Sequence, residues 1–268
     1  MAKNKVTVIA EIGVNHNGKM HLAKKLINIA KEAGADYVKF QTFKVENLVT
    51  FNAPKAQYQK KFDKNLTQYS MLKKLEFNLT QFAEIKQYCS SKKIKFISSP
   101  FDLQSVDFLK KLGIKIIKIP SGEITNLPYL QSIGKLNLPT ILSTGMSDLI
   151  EIRNAINILK YSGLNIKNKL SLLHCTSSYP TKINQVNLLA IKTLKQKFNL
   201  PVGYSDHTNG TEISIAAAAI GATIIEKHLT ISRKMKGPDH KSSLEPHEFI
   251  EMCKSIKNVS KSMGNGIK

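Results

Sequence analysis

Apolar residues along the chain fall into two alternating rhythms. Short runs rich in Val, Ile and Phe occupy residues 6–12, 37–41, 95–99, 116–119, 140–143, 170–174, 202–205 and 223–228, and each reads as a buried β-strand. Longer stretches follow them at 21–33, 81–92, 103–112, 127–134, 149–161, 186–198, 212–220 and 246–261, where apolar positions recur every three or four residues as on a helix with one buried face. Start signals support several of these helices: Thr80 stands before Gln81 with Glu84 close behind, and Asp148 stands before the stretch that carries Glu151. Gly34, Gly113, Gly163 and Gly221 sit just past helix ends, where a left-handed backbone is wanted. Strand and helix alternate eight times, which predicts a single-domain α/β fold, a (βα)8 TIM barrel over 1–268; two smaller domains are the alternative at this length.

Two connections are longer than a barrel needs, 42–80 after the second strand and 230–245 after the eighth. Both leave the C-terminal ends of strands, the side on which barrel active sites lie. The ends themselves carry polar residues where a core strand would stay apolar: Glu11, then Lys39 and Gln41, Ser98 and Ser99, Lys118 and Ser121, Ser143 and Thr144, His174, Ser205 with Asp206 and His207, and Glu226 with His228. Taken singly, a strand-end Ser or Thr is more often a cap or turn residue, and a strand-end His more often structural. Taken together they converge on one mouth, where unpaired polar groups would each cost kilocalories without a partner.

Sorted by chemistry, Lys39 and Lys118 with the hydroxyls of Ser99, Ser121, Ser143 and Ser205 make a donor-rich cluster suited to a phosphate or carboxylate, without a Gly-rich phosphate loop. His207 and His228, on neighbouring strands, could each give an imidazole nitrogen to a divalent cation, with Glu11, Glu226 or Asp239 as carboxylate ligands or orienting groups.

Charge narrows the partners. Forty Lys+Arg against nineteen Asp+Glu give a formal net charge of +21, compatible with nucleic acid, a membrane surface or an anionic substrate. The lysines are spread over the expected helices, no aromatic residues interleave with them, and there is no Trp, so a solvated surface is favoured over nucleic-acid binding. Three cysteines without a CxxC pair argue against a disulfide framework and fit a reducing cytoplasm. The N-terminus lacks the apolar core of a signal peptide, and the longest nearly apolar run, 213–225, is too short to span a bilayer, so no membrane role is expected.

Nine stretches carry a resemblance: AEIGVNHNG (10–18), GADYVKFQTF (34–43), FISSPFD (96–102), KIPSGEITNLP (118–128), LSTGM (142–146), LHCTSSYPT (173–181), GYSDHTNG (203–210), EKHLT (226–230) and GPDHKSSLEP (237–246). Together, and in this order, they resemble the sialic acid synthase (N-acetylneuraminate synthase) family. The resemblance implies a C–C bond-forming transferase that condenses phosphoenolpyruvate with an open-chain N-acetylated amino sugar, typically N-acetylmannosamine, using Mn2+ or Mg2+, to give a nonulosonic acid and phosphate. It implies that Lys39, Lys118, Ser121, Ser143 and Ser205, with Ser99, cradle phosphoenolpyruvate, and that His207 and His228 bind the metal. Glu11, Gln41, Tyr179 and Asp239 match positions facing the sugar or the reacting centre, with Glu11 the candidate for managing a proton, and Ser177 stands where relatives carry Asn or Ser.

Family members usually continue from the barrel into a small antifreeze-like domain that, in their homodimers, lends an Arg to the partner's site. The sequence stops at 262–268, where that linker would begin, so the expectation is a barrel without the domain, acting as a homodimer or with a separate antifreeze-like protein. Two rival readings stand beside this one: a Schiff-base aldolase or lyase using Lys39, Lys118 or Lys227, and a non-catalytic or partner-activated barrel that binds a sugar or anion.

Overall fold

The computed structural model describes residues 5–55, 67–264 and 267. Eight parallel strands close into a barrel in chain order: β1 (Thr7–Gly13), β2 (Tyr37–Thr42), β3 (Lys95–Pro100), β4 (Ile117–Ile119), β5 (Thr140–Ser143), β6 (Leu170–Cys175), β7 (Val202–Asp206) and β8 (Ile224–His228), with β8 pairing back onto β1. The principal helices among the described residues are α1 (Met20–Ala33), α2 (Leu79–Ser91), α3 (Leu103–Lys111), α4 (Leu127–Leu136), α5 (Leu149–Tyr161), α6 (Ala190–Phe198), α7 (Glu212–Ala219) and α8 (Pro246–Ser262). The single-domain (βα)8 barrel expected from the alternation is the observed fold.

Side-chain alternation along each strand divides the core into two layers. Residues of one parity, such as Val8, Ala10, Phe40, Leu172 and Tyr204, pack outward against the helices. Residues of the other parity point into the barrel, where Ile9, Ile97, Ile141, Leu173 and Ile224 form an apolar plug. One step of two residues further along the same strands, the inward positions become Glu11, Ser99, Ser143, Cys175 and Glu226, so the plug is the floor on which the polar mouth stands. Burying each Leu or Ile of such a layer stabilises the fold by about 1.5–3 kcal/mol.

Local signals differ from the sequence expectation in two places and agree in a third. The cap of α2 is Asn78, which accepts from the backbone N–H of Gln81 while the Gln81 side chain accepts from that of Asn78; Thr80 lies inside the helix. Asp148 and Glu151 form the same reciprocal box at the start of α5, as the spacing suggested. The helix expected from residue 186 begins only at Ala190, because a 3-10 turn (Ile183–Gln185) and the left-handed Asn187 (φ 51°) come first.

The connection after β2 is not structureless where it is described. It carries the short helices Val45–Leu48 and Gln68–Lys73 and packs Phe43, Val45 and Leu75 against Val14 from the loop after β1, while 56–66 of that expected loop lies outside the described residues. Of the expected tail 262–268, residues 265, 266 and 268 lie outside them too. No helix among the described residues is long and apolar enough to cross a membrane.

Candidate active site

Strand register brings the polar ends together. Glu11 pairs with Lys39 on one side and with His228 on the other; Gln41 lies beside Ser99, and Ser205 beside both Cys175 and Glu226. These ends, with the loops that follow, enclose a cavity of about 820 Å³. Of the side chains expected to bind the anion, the sugar or the metal, all line it except Asp239. That carboxylate arrives from the loop after β8 and stands beside the cavity: a Cβ placed on Gly13 would lie 2.9 Å from Glu11 Oε1, 3.3 Å from Gln41 Nε2 and 3.7 Å from Asp239 Oδ2. Gly13 has φ +53°, so the three polar heads share a space that a side chain would fill, around a backbone that favours glycine.

The centre of the cavity is an ionic cluster with Glu226 as its hub. Glu226 Oε1 accepts from Lys39 Nζ at 2.8 Å, from Lys118 Nζ at 3.3 Å and from Ser205 Oγ at 3.0 Å. Lys39 also pairs with Glu11 Oε2 at 3.1 Å, and Gln41 Nε2 donates to Glu11 Oε1 at 3.2 Å. Burial opposes the charge of Glu226, but Lys118 and Lys39 outweigh it and hold the carboxyl well below the usual carboxylate range. Burial likewise opposes Lys39, and Glu11 with Glu226 outweighs it, so the ammonium is held above its ordinary range. For Lys118 burial prevails over Glu226, and its pKa falls below the ordinary lysine value. Glu11 is pushed up to about 7, chiefly by burial, with Lys39 acting in the opposite direction. Asp239 is pushed up to about 6 by burial.

The cluster is therefore a cation–carboxylate network with unspent hydrogen-bonding capacity on its rim. Ser99 Oγ and Glu226 Oε2 are buried without a hydrogen-bond partner. Ser121 Oγ accepts from the backbone N–H of Gly145 at 3.0 Å and lies 3.3 Å from Cys175 Sγ, which fixes it at the cavity wall.

His207 and His228 face each other across the other side, ring centroids 5.7 Å apart, with the Tyr179 ring 4.2 Å from His207 and 6.1 Å from His228. His207 Nδ1 lies 2.8 Å from the carbonyl of Thr176, which can only accept, so the proton is on Nδ1 and the lone pair on Nε2. That is how a metal-binding imidazole is oriented by its second nitrogen. His228 Nδ1 is buried without a partner. Burial pushes His207 down to about 4 and His228 well below the ordinary value, so both rings are neutral at pH 7 and fit as nitrogen ligands. Among the described residues, no group of three or more His, Cys, Asp and Glu side chains is arranged to hold a metal ion. The donor set is thus an open pair with room for outside ligands.

Parity overturns part of the expected mouth. Ser98, Thr144, His174 and Asp206 lie on the wrong step of the alternation: Ser98 Oγ donates to Phe40 O, Thr144 Oγ1 to Leu173 O, and His174 Nε2 sits 2.7 Å from Val186 O. Lys227 points outward and is wholly buried against Asp206 Oδ2 at 2.9 Å, so it cannot be a Schiff-base nucleophile in the cavity. Conversely, Cys175, Met146 and Lys182 line the cavity without having been expected there, and Glu226 serves the lysines rather than the histidines. Counting steps of two from Leu173 would have found Cys175; Met146 and Lys182 lie on loops, where no period applies.

Residues 26–268 match the NeuB family. The chain belongs to the NeuB family. This NeuB barrel is 54% identical over 265 residues to the N,N'-diacetyllegionaminic acid synthase of Campylobacter jejuni, across 98% of the chain and 79% of that relative. It is 49% identical over 263 residues to the protein of the same name from Legionella pneumophila, across 97% of the chain and 74% of the relative. Among solved structures, the N-acetylneuraminic acid (sialic acid) synthetase of Leptospira borgpetersenii in complex with citrate is similar to it with a TM-score of 0.87 at 37% identity, covering 99% of this chain and 87% of that one.

Proposed function

We propose that this NeuB-family barrel is a synthase that condenses phosphoenolpyruvate with an N-acetylated amino sugar to give a nonulosonic acid and phosphate. The observation that carries the reading is one cavity holding both the Lys39–Glu226–Lys118 cluster, with its ring of serine hydroxyls, and a pair of neutral histidines. In the reaction, C3 of phosphoenolpyruvate attacks the sugar aldehyde at C1, water adds at C2, and C–O cleavage then releases phosphate and leaves the 2-keto acid. Lys39 and Lys118 offset the anion's charge throughout, and Ser99, Ser121, Ser143 and Ser205 orient it from strand ends and the loop after β4 that do not have to move. Glu11, half-protonated near pH 7, is placed to hold or release a proton at its carboxyl oxygens. Gln41, Ser177, Tyr179 and Asp239 take the sugar side.

His207 Nε2 and a nitrogen of His228 would hold a divalent cation, Mn2+ or Mg2+, which would polarise the aldehyde oxygen. Imidazole ligands favour Mn2+ of the two, since Mg2+ prefers oxygen. Two relatives, at 54% and 49% identity, are named for a product with two N-acetyl groups. We therefore place a di-N-acetylated 6-deoxy sugar ahead of N-acetylmannosamine as substrate.

The deciding assay is phosphate release from phosphoenolpyruvate with each sugar in turn, with Mn2+ and after EDTA. Release that depends on both sugar and metal is the expected result; no turnover by folded, Mn2+-loaded protein with any of the sugars would mean a binding barrel instead. The same reading makes residues 1–268 the catalytic domain of a cytoplasmic homodimer. Adding a separately made antifreeze-like domain is expected to lower the KM for the sugar, and an unchanged KM would remove that part.

A further inference from the structure

Directly behind the histidine pair, on the outer face of the same two strands, lies a second ionic group that touches nothing in the cavity. Asp206 and Lys227 are both fully buried, and Lys227 Nζ lies 2.9 Å from Asp206 Oδ2. The placement of the bonds around them is specific. Asp206 Oδ1 accepts from the backbone N–H of Thr208 at 2.8 Å and from its hydroxyl at 2.7 Å, so the carboxylate closes a tight turn over His207, the residue between. Its other oxygen accepts from Ser214 Oγ at 2.6 Å, anchoring the turn to α7. Lys227 Nζ then donates to the carbonyl of Thr208 at 2.7 Å.

The consequence is a link between the two histidines that runs outside the site. Lys227 is the residue before His228, and its ammonium holds the residues immediately before and after His207. Strand register alone pairs Asp206 with Lys227 and fixes the rise along β7 and β8, but His207 stands just past the last residue of β7. Its backbone is held by the turn, by the Lys227 tie and by Thr181 N–H donating to its carbonyl at 2.8 Å. Of these, only the tie refers its position to β8 and therefore to His228.

We propose that Asp206 and Lys227 are a positioning pair that sets the spacing of His207 and His228 for a divalent cation. This inference rests on the metal reading given above. A staple that merely held two strands together would change stability and leave the cation affinity of the folded protein alone. A positioning pair changes that affinity, as orienting groups behind metal ligands commonly do by 10- to 100-fold.

The test is Mn2+ binding without turnover, read by electron paramagnetic resonance of free Mn2+ during titration of full-length protein well below its melting temperature. The double variant Asp206→Asn with Lys227→Met leaves no stranded charge and keeps an oxygen to close the turn over His207, but cuts the tie to β8. It is expected to raise the Kd for Mn2+ by roughly tenfold or more, while the KM for phosphoenolpyruvate stays within about threefold. If the double variant does not fold, Asp206→Asn alone is titrated in the same way, with a smaller rise of about three- to fivefold expected.

Ser98→Ala is the control. It removes equally buried bonds on the far side of the barrel, to Phe40 O at 2.9 Å and Thr42 Oγ1 at 2.7 Å, and is expected to lower the melting temperature without moving the Kd. Wild-type Mn2+ affinity in the folded double variant, or in Asp206→Asn where only that folds, overturns the proposal. So does a loss in Ser98→Ala as large as in the variant. If wild-type protein takes up no Mn2+, or if His207→Ala binds it undiminished, the metal reading itself falls and the pair's role with it.

Discussion

Two buried lysine–carboxylate groups lie within one residue of each other along β8, and they differ in what surrounds them. On the outer face, Asp206 and Lys227 are closed in by Thr208 and Ser214, and both carboxylate oxygens are taken. On the inner face, Glu226 meets two lysines with one oxygen while its second oxygen, and the Ser99 hydroxyl on the same cavity wall, are left without partners. The first group is satisfied as it stands. The second is arranged for something that arrives. Buried charge is thus a poor marker of function by itself, and unspent hydrogen-bonding capacity around it is a better one.

The largest effect is expected where the inner group is broken. Lys118→Ala should lower kcat/KM for phosphoenolpyruvate by roughly 10²–10³, with the melting temperature little changed or raised, because a lysine already pushed below its ordinary pKa is being removed. An unchanged KM and kcat would take Lys118 out of the anion site. His207→Ala should abolish Mn2+ stimulation to a similar degree, again read by steady-state kinetics with and without metal.

Breaking the outer group comes next, with the opposite signature. Lys227→Ala strands a buried carboxylate and should cost about 3–5 kcal/mol of stability by denaturant unfolding, while the KM for phosphoenolpyruvate stays near wild type. A variant that kept its stability and lost anion affinity would reverse the comparison.

A third effect separates the groups by pH. The pKa of Glu11 in the folded protein, about 7, lies above its ordinary value of 4.5. Its neutral form therefore stabilises the fold below pH 4.5, and that contribution is lost as pH rises toward 7. Wild-type kcat/KM should show an ionisation near pH 7 that disappears in Glu11→Gln, whose stability should also lose its decline over that window. Persistence of the ionisation in the variant would assign it elsewhere. The smallest effect belongs to the half-exposed surface pair Lys24–Glu84, 2.6 Å apart. There Lys24→Ala should cost no more than about 0.2–1 kcal/mol and leave kinetics untouched.

Much of this was readable from the chain because a parallel barrel is a simple object: eight apolar runs, eight helical periods, and function at one end. The inward residues Glu11, Lys39, Ser99, Ser143 and Ser205 were reached by that logic alone. Its error was to treat every polar residue at a strand end as facing the mouth. Asp206 sits between Ser205 and His207, and His174 between Leu173 and Cys175, so the two-residue period already assigned both to the helix side. What no period supplies is a partner. That Glu226 neutralises Lys39, 187 positions earlier, follows only from the closure of β8 beside β1. Asn78 and Thr80 are both common caps, and only the backbone turn decides between them.

The closure of β8 also sets an order of events in the cell. Lys39 and Lys118 leave the ribosome well before the carboxylate that will neutralise them, and at about 5–20 residues per second the 187 positions from Lys39 to Glu226 take roughly 10–40 s to make. Through that interval Lys39 has Glu11 to pair with, but Lys118, once made, still lacks Glu226, which opposes collapse around it. When β8 docks, pairing Glu11 with His228, neutralisation, ring closure and the histidine pair are completed in a single step. A chain interrupted before that strand would be left without both its binding chemistry and the counter-charge that lets it shut.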